Sequence, residues 1–231
     1  MKHRNSHFAV GYWTLIRRGR PAPDQADIDP KALKRLLPFV FLLDARHSSF
    51  IYRLAGTTLC ERYGGELRGR DFLARWDRES RVRLPGLMRQ SLAESLPLCL
   101  SSAATTEDRE MVELETVLMP MTFNAGARER FLGVQQLLSD ARPLLGRSIT
   151  FESLVASSLV REGGSPPAEA PPPGSARKVN SRTSRGAHLT LVVSQTNPRA
   201  GRDQLRFDGN DALAALLAQC DAEHGMRFTN N

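Results

Sequence analysis

The sequence predicts an α+β fold, a mostly antiparallel sheet flanked by helices and carried by the middle of the chain. Three observations predict it. Two strand signals, at 39–43 and 50–55, are separated by only a short link. Capped helical pattern follows from 57 to 95, and three more strand signals close the region before residue 140. Strand pairs joined by short links and split by a helical block give an antiparallel sheet with its helices grouped together.

The chain has 231 residues, 41% of them hydrophobic, which is enough for one good-sized domain with appendages or two small ones. Mean hydropathy is −0.35. The N-terminus has no apolar run of the roughly 7–15 residues a signal peptide needs, and no segment approaches the roughly 18 of a membrane span. Cys60, Cys99 and Cys220 are far apart and form no CxxC pair. Thiols in a reducing cytoplasm are therefore expected, without metal or disulfide roles.

Residues 1–38 read as a helical extension. Phe8, Tyr12 and Leu15 recur at i, i+4 and i+7, and Trp13 and Ile16 widen the stripe. Gly19 should end that helix, with Arg17 and Arg18 near the negative end of its dipole. Asp29-Pro30 then opens a second short helix bearing Leu33, Leu36 and Leu37, which Pro38 closes.

Residues 39–140 form the domain proper. Phe39 to Leu43 is a continuous apolar strand. In Phe50 to Ala55, Phe50, Tyr52 and Leu54 share one face, and Ile51 and Arg53 the other. Thr58 to Glu61 fits a capping box on a brief helix ending at Gly64-Gly65. Asp71 caps another, carrying Phe72, Leu73 and Trp76. Glu79 to Ser95 is helical with Val82, Leu87, Met88, Ser91 and Leu92 inward, and Pro85-Gly86 should kink it. Strands at 98–105, 112–118 and 131–138 follow, the middle one showing Glu113 and Glu115 to water.

Residues 141–160 read as a connector helix with Ile149, Phe151, Leu154, Val155 and Leu159 on its apolar side. Residues 161–187 have the proline, serine and arginine composition of a linker. Residues 188–231 form a tail. His188 to Ser194 alternates like a short strand, and Asp208 to Glu223 reads as a small helix with Leu213, Leu216, Leu217 and Cys220 on one side. These pieces are too small to make a core of their own.

The net charge of +7 is unevenly spread, at +5 over 1–160, +5 over 161–206 and −3 over 207–231. The positive density therefore sits in the linker, where a solvated basic stretch accounts for it.

From Tyr12 to Leu138 the chain resembles a bacterial family of stand-alone PAS-like domains. YWTLIRRGRPAPDQADIDP, LLPFVFLLD, YRLAGTTLCERYGGELRGRDF, VELETVLMP and RFLGVQQLL carry the resemblance, in order. It implies a five-stranded antiparallel sheet with flanking helices and an N-terminal helical extension. It also implies a module that senses a small ligand, redox state or light, or that docks onto partners. Cys60 lies in LCERYG, which is not a flavin-photosensor motif, and none of the five histidines falls between Thr57 and Ser95. Neither flavin nor haem is therefore expected.

Tyr52, Arg53, Leu54, Tyr63 and Trp76 lie where a PAS cavity is built and are the candidate lining residues. The competing reading is that the aromatics fill the core and Arg53 pairs with Glu113 or Glu115. Phe8, Tyr12, Trp13 and Ile16 are the candidate interaction face, being more apolar than a solitary surface helix requires. Asp24, Asp27 and Asp29 loosely resemble a calcium loop but lack its glycine and glutamate. No HExxH, GxSxG, dinucleotide or phosphate-loop motif is present, so no catalysis is expected. The function expected is a non-enzymatic sensory and interaction module, acting through a protein partner or homodimer, with a small ligand as a further option. The alternatives are a nucleic-acid adaptor using the basic stretch Arg177 to Arg206, and an enzyme built in a PAS-shaped cavity.

Overall fold

The computed structural model describes residues 1–46, 49–124, 126 and 129–161. Apart from Arg161, the expected linker, tail strand and tail helix lie outside the described residues.

Six strands form one antiparallel sheet: β1 (Val40–Ala45), β2 (Phe50–Ala55), β3 (Leu98–Thr106), β4 (Met111–Met121), β5 (Arg130–Leu137) and β6 (Ile149–Leu159). Their spatial order is β2-β1-β5-β4-β3-β6. Among the described residues three α-helices accompany them: α1 (Arg4–Ile16), α2 (Thr57–Arg62) and α3 (Arg78–Glu94).

Both faces of the sheet are covered, which explains the unbroken apolar run of β1. Phe41 and Leu43 face inward, with Leu98, Leu100, Leu114, Leu118 and Phe131, toward the layer that includes Phe72, Trp76, Leu84 and Met88. Val40 and Leu42 face outward, with Val117, Met119, Leu132 and Val134, beneath Ala9 and Trp13 of α1. The Trp13 indole donates to Pro120 O at 2.7 Å, fixing α1 across β4. Two close approaches demand glycine. A Cβ on Gly56 would lie 2.2 Å from Leu37 O, and one on Gly133 would lie 2.2 Å from the Phe41 ring.

The structure corrects several expectations. Residues 149–159 are a sixth strand paired to β3, not a connector helix, and the sheet exceeds the five strands implied by the resemblance. Residues 29–36 form successive i→i+3 turns rather than a second helix, although Leu33, Leu36 and Leu37 are buried as expected. Helix α2 starts after Gly56 with no side-chain cap, so Thr58 is not its cap. Helix α3 runs through Pro85 and buries Ser80, Leu84, Met88 and Ser91, while Val82 is exposed. On α1 the buried side is Ser6, Ala9 and Trp13. Phe8 and Leu15, placed on the apolar stripe by periodicity, face solvent.

A bulge explains the fate of β2. The β1–β2 register passes from Leu42↔Leu54 to Leu43↔Tyr52, leaving Arg53 as the extra residue. An extra residue reverses alternation beyond it. Leu54 therefore joins the outer cluster while Tyr52 stays in the inner one.

Candidate functional site

The inner face carries a buried polar cluster that begins at Glu152. Its position in the sheet is set by β3, through the pair Ala104↔Glu152, and its backbone is held on the other side by α3's entry. Asp77 N–H donates to Glu152 O at 2.9 Å, and Leu154 N–H donates to Ser80 Oγ at 2.8 Å. Asp77 is also the N-cap of α3, accepting from Ser80 N–H at 2.7 Å. Cap and strand clamp are thus one local structure.

The Glu152 side chain points into the core and is 2% exposed. Tyr63, at the end of α2, donates its hydroxyl to Glu152 Oε1. Ser102 Oγ donates to Oε2 at 2.9 Å. Gln135 of β5 donates to the Tyr63 hydroxyl at 2.8 Å and to Thr116 Oγ1 at 3.3 Å. Arg75 stacks over the Tyr63 ring at 5.0 Å while its guanidinium donates to Tyr63 O at 2.6 Å and Ile149 O at 2.8 Å.

Burial pushes the Glu152 carboxyl above its usual range, against the Tyr63 and Ser102 hydrogen bonds and the Arg75 and Arg62 charges, which pull it down. Tyr63 is pushed well above its ordinary value by burial first and then by the Glu152 charge. Tyr52, fully buried, moves the same way for the same leading reason. The cluster therefore favours a neutral phenol beside a carboxyl that takes a proton more readily than one in water. Near this cluster, Gln135 Oε1 and Arg62 Nη1 are buried without a hydrogen-bond partner among the described residues. Buried atoms of that kind mark places where a hydrogen-bonding group is wanted.

A cavity of about 320 Å³ opens against this cluster, lined by Tyr52, Tyr63, Arg70, Asp71, Phe72, Arg75, Thr150 and Glu152, among others. A larger cleft of about 520 Å³ lies between α2 and residues 141–148, but it is more open and Arg147 there is already paired with Asp108 and Glu110. The smaller cavity has convergent polar groups on a rigid sheet, which is what holds a small ligand in one orientation.

Of the candidate lining residues, the structure brings together Tyr52 and Tyr63. Trp76 is buried beside Phe72, at a ring distance of 5.7 Å, as core rather than lining. Arg53 is exposed and pairs with Asp44 at 3.5 Å, not with Glu113 or Glu115. Leu54 faces the opposite side of the sheet. Glu152, Gln135 and Ser102 were missed. A lone acid among the apolar positions of 149–159 was the available signal.

On the candidate interaction face, Trp13 is spent on the sheet. Tyr12 is half-buried and accepts from Asp29 N–H at 2.7 Å through its hydroxyl. Ile16 is half-buried and Phe8 is exposed. Asp24 and Asp27 form a capping box around Gln25–Asp27, and among the described residues no cluster of acidic, histidine or cysteine side chains has the form of a metal site.

A family profile described as the PAS domain matches residues 1–136, more than half of the chain. Similar solved structures include a light-oxygen-voltage domain studied with a flavin analogue, covering 50% of this chain and 88% of its own at 15% identity, TM-score 0.39. The light state of the blue-light photoreceptor Aureochrome1 LOV covers 50% and 92% at 16% identity, TM-score 0.37. The Rhodobacter sphaeroides LOV protein covers 49% and 70% at 16% identity, TM-score 0.38. No curated protein matches the chain. No described helix is long and apolar enough to cross a membrane.

Proposed function

We infer that this chain, which belongs to the PAS domain family, is a non-enzymatic sensory and interaction module that reads a small ligand at the inner face of its sheet. The observation that carries this reading is the buried Glu152–Tyr63 pair at the wall of a 320 Å³ cavity, backed from the sheet by Gln135. A ligand with polar groups suits Arg70, Asp71 and Thr150, and a flat or apolar body suits Tyr52 and Phe72. Because Glu152 is clamped to Asp77 and Leu154 to Ser80, a change at the carboxyl reaches α3 and β6 directly. Signalling to a protein partner through those elements is the second half of the proposal.

Catalysis is not part of it. Both Glu152 carboxyl oxygens are taken by the Tyr63 and Ser102 hydroxyls, and these hydrogen bonds hold it in place rather than aim it at open space. Native mass spectrometry of the freshly purified full-length chain tests the reading. A non-covalent mass that is lost on denaturation and absent from Tyr63→Phe supports it. A bare wild-type chain, with Tyr63 unquenched and unshifted across a panel of small aromatic and amide compounds, overturns the ligand.

A further inference from the structure

Strand β6 sits beside β3 at the edge of the sheet, so residues 138–148 must carry the chain from the end of β5 past β4 and β3. This crossover closes against the end of α2, where Arg75 ties the two together by donating to both Tyr63 O and Ile149 O. The cleft of about 520 Å³ lies between them. Leu137, Leu144 and Leu145 give it apolar walls, and Leu145 stands 72% exposed. Thr58 and Arg62 of α2, four residues apart and therefore on one side of the helix, line it together with Ser148.

The charge at this cleft is out of balance at Arg62. Its Nη1 is buried and has no hydrogen-bond partner among the described residues, and the guanidinium lies 5.5 Å from the centre of the Phe39 ring. Burial pulls its pKa down, yet an arginine keeps its proton, so a largely desolvated charge remains that an anion would stabilise. Arg147, which also lines the cleft, is already paired with Asp108 and Glu110. We propose that the cleft binds a small monocarboxylate with an apolar body, its carboxylate toward Arg62 and the Thr58 and Ser148 hydroxyls and its body against the three leucines. The Glu61 carboxylate lines the same cleft and disfavours a second negative charge on the ligand. The cleft shares no lining residue with the 320 Å³ cavity, so this second site goes beyond the reading above and does not rest on it. Arg62 is nonetheless among the charges that draw the Glu152 carboxyl down, so an anion beside it is felt at the inner cluster.

Titration of the full-length, nitrogen-15-labelled chain with octanoate and with octanamide, followed by amide shifts, tests the proposal. Octanoate should give saturable shifts at Thr58, Arg62 and Gly146, and octanamide, which keeps the body and lacks the charge, should bind at least about tenfold more weakly. Arg62→Gln should remove that preference, whereas Arg89→Gln, exposed on α3, should keep it. Equal affinity for acid and amide overturns the proposal, as does the absence of saturable shifts up to about 5 mM octanoate. Shifts confined to Arg70, Asp71 and Thr150 also overturn it, and they place the ligand in the 320 Å³ cavity, leaving that reading intact. If Arg62→Gln does not fold, Leu145→Glu, at an exposed position, decides the same question. It should weaken octanoate more than octanamide, and an equal loss for the two overturns the site.

Discussion

Two glutamates, one on each face of the same sheet, meet opposite fates. Glu115 on the outer face is 0% exposed and Glu152 on the inner face is 2% exposed, so burial alone does not distinguish them. Glu115 accepts from the backbone amides of Lys2 and His3, the latter at 3.0 Å, just ahead of α1. Burial would raise its pKa, but the adjacent Ser6 hydroxyl and those two amides together outweigh it and hold the carboxyl below its usual value. Glu152 is met by hydroxyls and distant guanidinium charges, burial prevails, and its pKa rises. Fixed amides at a helix entrance favour an anion, whereas hydroxyls serve a neutral acid as well as a charged one. The outer carboxylate is a structural pin for α1, and the inner one takes a proton more readily than a carboxyl in water.

The largest test of this contrast removes the pinned helix. Trp13→Ala strips the indole from the outer core and its bond to Pro120 O, and should cost about 3–5 kcal/mol in chemical denaturation. Deleting residues 1–20 should lower the melting temperature further, and an unchanged melting curve would contradict the packing of α1 on the sheet. Tyr63→Phe should cost about 1–3 kcal/mol, because the Glu152 carboxyl and the Gln135 amide each lose a buried partner. A cost as large as that of Trp13→Ala would mean the cluster is core rather than sensor.

The sharpest test is by pH. The folded state raises the Glu152 pKa above its ordinary 4.5, so this group's contribution is fully present below that value and is lost as pH rises through the raised one. Glu115 has the reverse sign, with stability present above 4.5 and lost as pH falls through its lowered value. Measured by urea melts from acid to neutral pH, Glu152→Gln should gain on wild type as pH rises and Glu115→Gln should fall behind. Parallel profiles for the two variants would erase the distinction. At the small end, Val82→Ser, on the exposed side of α3, should change stability by less than about 0.5 kcal/mol.

The neighbouring glutamines show how much of the site was readable. In sequence Gln135 and Gln136 merely interrupt an apolar strand. In the sheet they pair with Thr116 and Glu115, one on each face. Gln135 reaches Tyr63, and Asn5 donates to Gln136 Oε1 at 3.2 Å. Alternation predicts that adjacent residues face opposite ways, but only the register says which carboxylate network each one joins. Tyr52 and Tyr63 were legible because aromatics near a helix–sheet junction fall in few places. Glu152 was not, because the segment containing it did not read as a strand.

What the sequence determined by itself is what short-range chemistry fixes. Strands β1 to β5 follow from apolar runs and period-two alternation, and Asp71 caps its turn by bonding Leu73 N–H two residues away. The tertiary structure decided β6, the side taken by Leu54, the burial of Glu115 and the face that α1 presents. Each of these depends on a partner far along the chain. The β3–β6 pairing shifts register twice, between Ser101 and Ser102 and between Thr105 and Thr106. Each shift moves the inward positions of β6 off a two-residue period, so Ile149, Leu154 and Leu159 end up five apart, and the four-residue spacing of Phe151, Val155 and Leu159 imitates a helix. A local pattern records which residues want burial, and only the long-range pairing decides what buries them.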